Sequence, residues 1–188
     1  MARGLKSLPD YLRERLDIVS IGLNPSVYSA ERGFYFARGQ NRFWRALNAS
    51  QLIREQLIPG KAAIEQLFLE NSIGFTDVVK RPSAAASDLT AADFRRWAPV
   101  LRRKLLRYAP RIAWFHGKLA YQNYLRYAED VRDEVEWGEQ ARTIGRSRVF
   151  VTPNPSGANA SFGLADLVAA YDDVARLRDR LKRTLTRE

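Results

Sequence analysis

Short apolar runs that alternate with stretches of helical periodicity restrict this chain more than any other feature. "DIVSIGL" (17–23), "IGFTDVV" (73–79) and "RIAWF" (111–115) have the length of strands, and helical patterns separate them. A helix is expected from Asn41, another in "AAIEQLFLEN", and a third after Thr90, whose spacing to Asp93 suits a capping box. That third helix repeats Phe94, Trp97, Leu101, Leu105 and Tyr108, with Pro99 expected to kink it. "HGKLAYQNYL" predicts a further helix, and "ARTIGRSRVFVTP" predicts a hairpin turning near Gly145 into a final strand at 148–152. Leu167, Val168, Tyr171, Val174, Leu177 and Leu181 mark an amphipathic closing helix. The alternation predicts an α/β fold, a three-layer α/β/α sandwich whose central, mostly parallel sheet has four to five strands. With no linker-like stretch, residues 1–188 are expected to form one domain.

Composition removes several chemistries. The chain has no cysteine, which excludes disulfides and thiol nucleophiles, and one histidine, His116, which excludes a multi-histidine metal centre. Neither a metal nor a cofactor is expected. "MARGLKSLPDYLRERL" lacks the apolar core of a leader, and no run of about 18 apolar residues occurs, so no membrane contact and a reducing, cytoplasmic setting are expected. A net charge of +10 favours a polyanionic partner, although an arginine-rich solvated surface would give the same number. Much of the excess lies in "FRRWAPVLRRKLLRYAPR" and "RLRDRLKRTLTRE", which read as polar faces of helices.

Two asparagine-proline pairs, in "GLNPS" and "TPNPSG", fall at the carboxyl ends of expected strands, the edge where open α/β sheets bind ligands. Asn-Pro is also ordinary turn chemistry. The segment "GFYFARGQNRFW" after the first pair adds aromatics and amides that a turn does not need.

Taken in order, these motifs resemble the mismatch-specific uracil/thymine-DNA glycosylase family, a branch of the uracil-DNA glycosylase superfamily. The resemblance runs from Gly22-Leu23-Asn24-Pro25 through Phe36 and Asn41 to Trp44. It continues through "GFTDVVKRPS", "HGKLAY" and "WGEQARTIG" to "VTPNPSG", from about residue 17 to 180. It implies a monofunctional glycosylase that hydrolyses the N-glycosidic bond of uracil flipped out of DNA. Such an enzyme leaves an abasic site for base excision repair, uses no cofactor, and acts as a monomer on DNA in the nucleoid. Flipping is needed because a stacked base cannot reach an active site.

The resemblance also implies roles. Asn24 positions the attacking water, and Phe36 stacks on the base, although periodicity alone would make Phe36 a core aromatic. Gly22, Leu23, Pro25, Ser29, Asn41 and Asn154 line the base pocket, with Ser29 beside the pyrimidine C5 position and Asn41 equally suited to cap a helix. Main-chain amides near Leu23 and Phe36 would bind the uracil carbonyls. Pro155, Ser156 and Gly157 would bring main-chain amides to phosphates, and Ala158 and Asn159 would fill the gap left by the flipped nucleotide. Lys118 would contact phosphate or point into solvent.

Three departures stand out. Asp77 replaces the Lys or Asn of some family members and could hold the water or steady the cationic sugar, or simply cap or pair with Lys80 or Arg81. "GANA" is smaller than the family's usual wedge, so weaker dependence on an opposite guanine is expected, with uracil removed opposite adenine and from single strands as well. Ser26 replaces a glycine. His116 is expected to help start a helix. The alternatives are a glycosylase for deaminated purines such as hypoxanthine or xanthine, and a non-catalytic DNA-binding module.

Overall fold

The computed structural model describes residues 6–185; Thr186, Arg187 and Glu188 of the basic tail lie outside the described residues. Five strands form one sheet in the order β2-β1-β3-β5-β4. β1 (Ile18–Gly22), β2 (Ile73–Asp77), β3 (Ile112–His116) and β5 (Ser147–Thr152) are parallel, and β4 (Gly138–Ile144) runs antiparallel to β5 at one edge. Helices α1 (Val27–Arg32), α2 (Phe43–Ala49), α3 (Lys61–Leu69), α4 (Ala91–Tyr108), α5 (Lys118–Tyr124) and α6 (Leu164–Leu185) complete the described structure together with short helical turns.

Side-chain alternation along each strand divides the core in two. Ile18, Ile73, Phe75, Ile112, Trp114 and Phe150 pack toward α2, α3 and α6. Val19, Ile21, Ala113, Phe115, Val149 and Val151 pack toward α4 and α5. Both faces of a parallel sheet are covered, so its strands read as nearly continuous apolar runs.

Thr90 and Asp93 form the expected capping box, and the helix they start continues through Pro99, whose missing N–H leaves one ladder bond unmade. The hairpin turns at Gly145, where φ is +56°. Two elements differ from the sequence expectation. The first helix after β1 is α1, capped by Ser26, and the helix expected from Asn41 starts at Phe43. His116 does not start a helix: it is the last residue of β3, buried, with Gly117 at φ +94° making the turn into α5.

Chain reversal puts β3 on the opposite side of β1 from β2, which creates a crevice at the carboxyl ends of β1 and β3. The backbone of Tyr11 crosses β2 so closely that a Cβ on Gly74 would lie 2.3 Å from the Tyr11 carbonyl oxygen. Gly74→Ala is therefore expected to destabilise the fold by about 1–3 kcal/mol, as overpacked positions do, measurable as a lower midpoint in thermal unfolding; an unchanged midpoint would contradict the packing described.

Candidate active site

"GLNPS" does not close a simple turn. The loop after β1 stays paired with the loop after β2: Val78 and Val79 N–H donate to the Gly22 and Leu23 carbonyls, and Ser83 N–H donates to that of Pro25. The Asn24 side chain reads this pairing. Its Nδ2 donates to Ser83 Oγ at 2.8 Å, to the Arg81 carbonyl at 3.0 Å and to the Pro25 carbonyl at 3.2 Å. Two of these three partners are carbonyls that can only accept, so the amide orientation is fixed. Among the described residues nothing donates to Asn24 Oδ1, which remains a free acceptor on a residue that lines the pocket.

Gly22 and Asp77 are register partners at the ends of β1 and β2. A Cβ on Gly22 would lie 2.8 Å from Asp77 Oδ1, so glycine makes the room this carboxylate occupies. Burial pushes the Asp77 carboxyl up to about 6, against the pull of Lys80. Lys80 Nζ lies 3.4 Å from Asp77 Oδ2, 2.8 Å from Asp10 Oδ1 and 3.1 Å from Tyr35 Oη, whose own hydroxyl donates to the Pro9 carbonyl. Lys104 and Thr76 complete the shell of Asp10. The ion pair with Lys80 thus exists, whereas Arg81 turns away to make two bonds of 2.8 Å with Asp93.

Phe36 sits at φ +57°, a conformation an L-residue adopts only under constraint. One face of its ring stacks on Phe43 with centroids 4.0 Å apart, and its position also lines the pocket. It thus packs against the core, as periodicity suggests, and also walls the pocket. Ser29 Oγ accepts from Ala37 N–H at 3.1 Å and from Ser26 Oγ at 3.1 Å, which ties α1 to the segment after Phe36 and gives Ser26 its place as helix cap. Asn41 is not the cap of α2, which is Arg42, but stands just before it: its Oδ1 accepts from the N–H of Phe43, the first helical residue, at 2.9 Å, while the residue also lines the pocket.

These groups surround one cavity of about 180 Å³, in which Gly22, Leu23, Asn24, Pro25, Ser29 and Phe36 meet Asn41, Asp77 and Asn154. A wider cleft of about 840 Å³ joins it and carries Gly157, Ala158 and Asn159 on its rim. Lys118 lies in a third, adjoining cavity with its Nζ over the Trp137 ring, 4.9 Å from the centroid, an arrangement the sequence did not suggest.

The loop after β5 corrects the phosphate expectation for Pro155 and Ser156, whereas the Gly157 N–H has no acceptor among the described residues. Pro155 is buried and has no N–H, and its carbonyl accepts from Arg42 N–H; Ser156 N–H donates to Asn154 Oδ1. Ala158 N–H donates to Ser156 Oγ, and Asn159 Nδ2 donates back to the Asn154 carbonyl. The main-chain amides of Ser156 and Ala158 therefore serve the loop itself. Arg42, which sequence reasoning passed over, organises this loop: its guanidinium donates to the carbonyls of Ser156, Asn159 and Phe162.

His116 was also missed as a pocket residue. It is 2% exposed, lines the cavity, and shares a 2.7 Å hydrogen bond through Nε2 with Ser20 Oγ on β1. Its Nδ1 has no partner among the described residues, and burial pushes its pKa down to about 3, so the ring is neutral at ordinary pH. The signal was available: the apolar run "RIAWF" ends on the one imidazole, at the sheet edge where both Asn-Pro pairs also end.

A model of the uracil DNA glycosylase superfamily matches residues 9–175. Among solved structures, the fold is similar to the solution NMR structure of "a putative Uracil DNA glycosylase from Methanosarcina acetivorans", with a TM-score of 0.58 and 22% identity, covering 91% of this chain and 98% of that one. At that identity the likeness concerns the fold. No described helix is long and apolar enough to cross a membrane.

The Asp77 carboxyl yields a stability prediction. Its folded value, about 6, lies above its ordinary 3.8, so the fold favours the protonated acid, and stability falls as pH rises from about 3.8 through 6. Asp77→Asn keeps the shape, removes the buried charge and leaves Lys80 with Asp10 and Tyr35. The variant is expected to be more stable than wild type at pH 8 by up to about 3 kcal/mol, with the advantage vanishing below about pH 4. Denaturant unfolding across this range checks it; a variant less stable at pH 8 would contradict the burial cost.

Proposed function

Because the chain belongs to the uracil DNA glycosylase superfamily, we propose that its pocket receives uracil flipped out of DNA and that Asn24 and Asp77 direct water onto the sugar. The observation that carries this reading is the fixed Asn24 amide, with Nδ2 anchored and Oδ1 left as an acceptor, on a residue that lines the same small cavity as Asp77 and Phe36. A non-catalytic DNA-binding module has no use for a carboxylate whose burial costs stability.

In the proposed reaction the C1′–N1 bond breaks first in extent, leaving positive charge on the deoxyribose and the bonding pair on uracil. Asn24 Oδ1 accepts one hydrogen of the water and fixes its direction. Asp77, ionised above about pH 6, steadies the cationic sugar and accepts the proton as the water oxygen bonds C1′. Phe36 stacks on the base, and its backbone N–H, unpartnered among the described residues, suits a uracil carbonyl as charge builds there. The cavity of about 180 Å³ has room for a single base, and membership of the uracil DNA glycosylase superfamily leads us to propose uracil over hypoxanthine and xanthine. Ser29, held by three hydrogen bonds, walls the side assigned to C5.

Opposite-base readout is proposed to be weak. Ala158 is small and exposed, and the Asn159 amide is tied back to its own loop, so little protrudes to replace the flipped nucleotide or question its partner. The enzyme is proposed to act as a monomer, on uracil opposite adenine and guanine and in single strands, in the cytoplasm at the nucleoid.

Oligonucleotides with one uracil, thymine, hypoxanthine or xanthine, opposite A or G and as single strands, test this through alkali-labile abasic sites. Uracil is expected to be the best substrate in all three contexts. Asn24→Ala and Asp77→Asn should each lower the single-turnover rate by about 10²-fold or more, the scale of a lost transition-state contact, while Phe36→Ala should mainly raise KM. Full activity in both polar variants would refute the site assignment, and a preference for xanthine or hypoxanthine would move the substrate to deaminated purines.

A further inference from the structure

A third cavity, of about 340 Å³, opens beside the base pocket and shares Leu23, His116 and Asn154 with it. Its far wall is aromatic and cationic. Trp137, 41% exposed, is flanked edge-on by Phe162 at 5.2 Å and 77°, and Lys118 Nζ lies 4.9 Å from its ring centroid. Leu119 beside it is 54% exposed.

Nothing in the core requires this exposure. Trp137 stands just before Gly138, the first residue of the edge strand β4, whereas Trp44 and Trp114 are buried. The ring is nevertheless held on two sides, so it presents a set surface rather than a mobile one. Phe162 belongs to the segment whose carbonyls Arg42 grips, so the shelf and the loop that rims the base pocket are fixed by one guanidinium.

We propose that Trp137, Phe162 and Lys118 form a stacking subsite for the unpaired nucleotide next to the flipped one. This rests on the base-pocket reading. An indole stacks on any base, and the ammonium that lies over its ring suits the phosphate that joins the two nucleotides. A paired neighbour, stacked within a duplex, cannot reach the shelf, so the subsite serves single strands. It holds DNA where the small loop around Ala158 cannot.

The test uses a single strand with 2-aminopurine beside uracil, compared with a duplex carrying one uracil. Wild-type protein is expected to quench the 2-aminopurine by stacking, and Trp137→Ala to lose most of that quench while Trp137→Phe keeps it. In excision, Trp137→Ala should raise KM for the single strand about 10-fold, the scale of one lost base–aromatic stack, with a smaller rise for the duplex and kcat within about twofold. Equal quenching and an unchanged single-strand KM in Trp137→Ala would overturn the subsite. Absence of excision from every DNA would instead sink the base-pocket reading, and the quenching comparison would still decide the shelf.

Discussion

A carboxylate lies fully buried at the end of β2 because β1 ends opposite it in a residue with no side chain. Gly22 leaves the space, and the parallel register delivers Asp77 into it. A lone buried charge would be costly. Here Lys80 supplies the counter-charge, Asp10 balances Lys80, and Lys104 and Thr76 hold Asp10, so the charge at the pocket is continuous with a polar network behind it. The compensation is partial, and burial still leaves Asp77 harder to ionise than an ordinary aspartate. That imbalance suits the proton-accepting role proposed for Asp77.

The same sheet edge fixes the other parts. Asn24 is oriented by the loop that follows Asp77, so the two polar groups are held by one backbone pairing. Phe36 is kept in a left-handed conformation between Phe43 behind it and the pocket in front. His116, at the end of the strand between the two Asn-Pro pairs, is anchored by Ser20 and stays neutral, which adds a polar wall without adding charge. A pocket built this way is preorganised: its polar side chains are already held by one another and by the backbone.

Much of this was legible in the sequence. Period and spacing located the strands and α4 to within a few residues, because apolar alternation and a capping box are local signals. The pocket residues emerged from ordered motifs, and the cavity gathers every residue assigned to the base. What sequence could not show were facts of register and hydrogen bonding. His116 read as a helix start because its burial depends on Ser20, 96 positions away. Arg42 looked like one arginine among many, since its role is defined by carbonyls of a loop beyond residue 155. The Ser156 amide was expected to face phosphate, yet it donates to the Asn154 side chain, and the Ser156 and Asn159 side chains fold that loop upon itself.

The central claim is that ionised Asp77 and the Asn24 carbonyl oxygen together activate water in this pocket. The most direct test is the pH dependence of single-turnover uracil excision between pH 4.5 and 9. The rate should rise through an apparent pKa near 6 and then level, because Asp77 is the pocket group whose ionisation falls there, while His116 stays neutral throughout. In Asp77→Asn the inflection should vanish along with most of the rate. A wild-type profile that is flat across pH 6, or an inflection that survives in Asp77→Asn, would contradict the account.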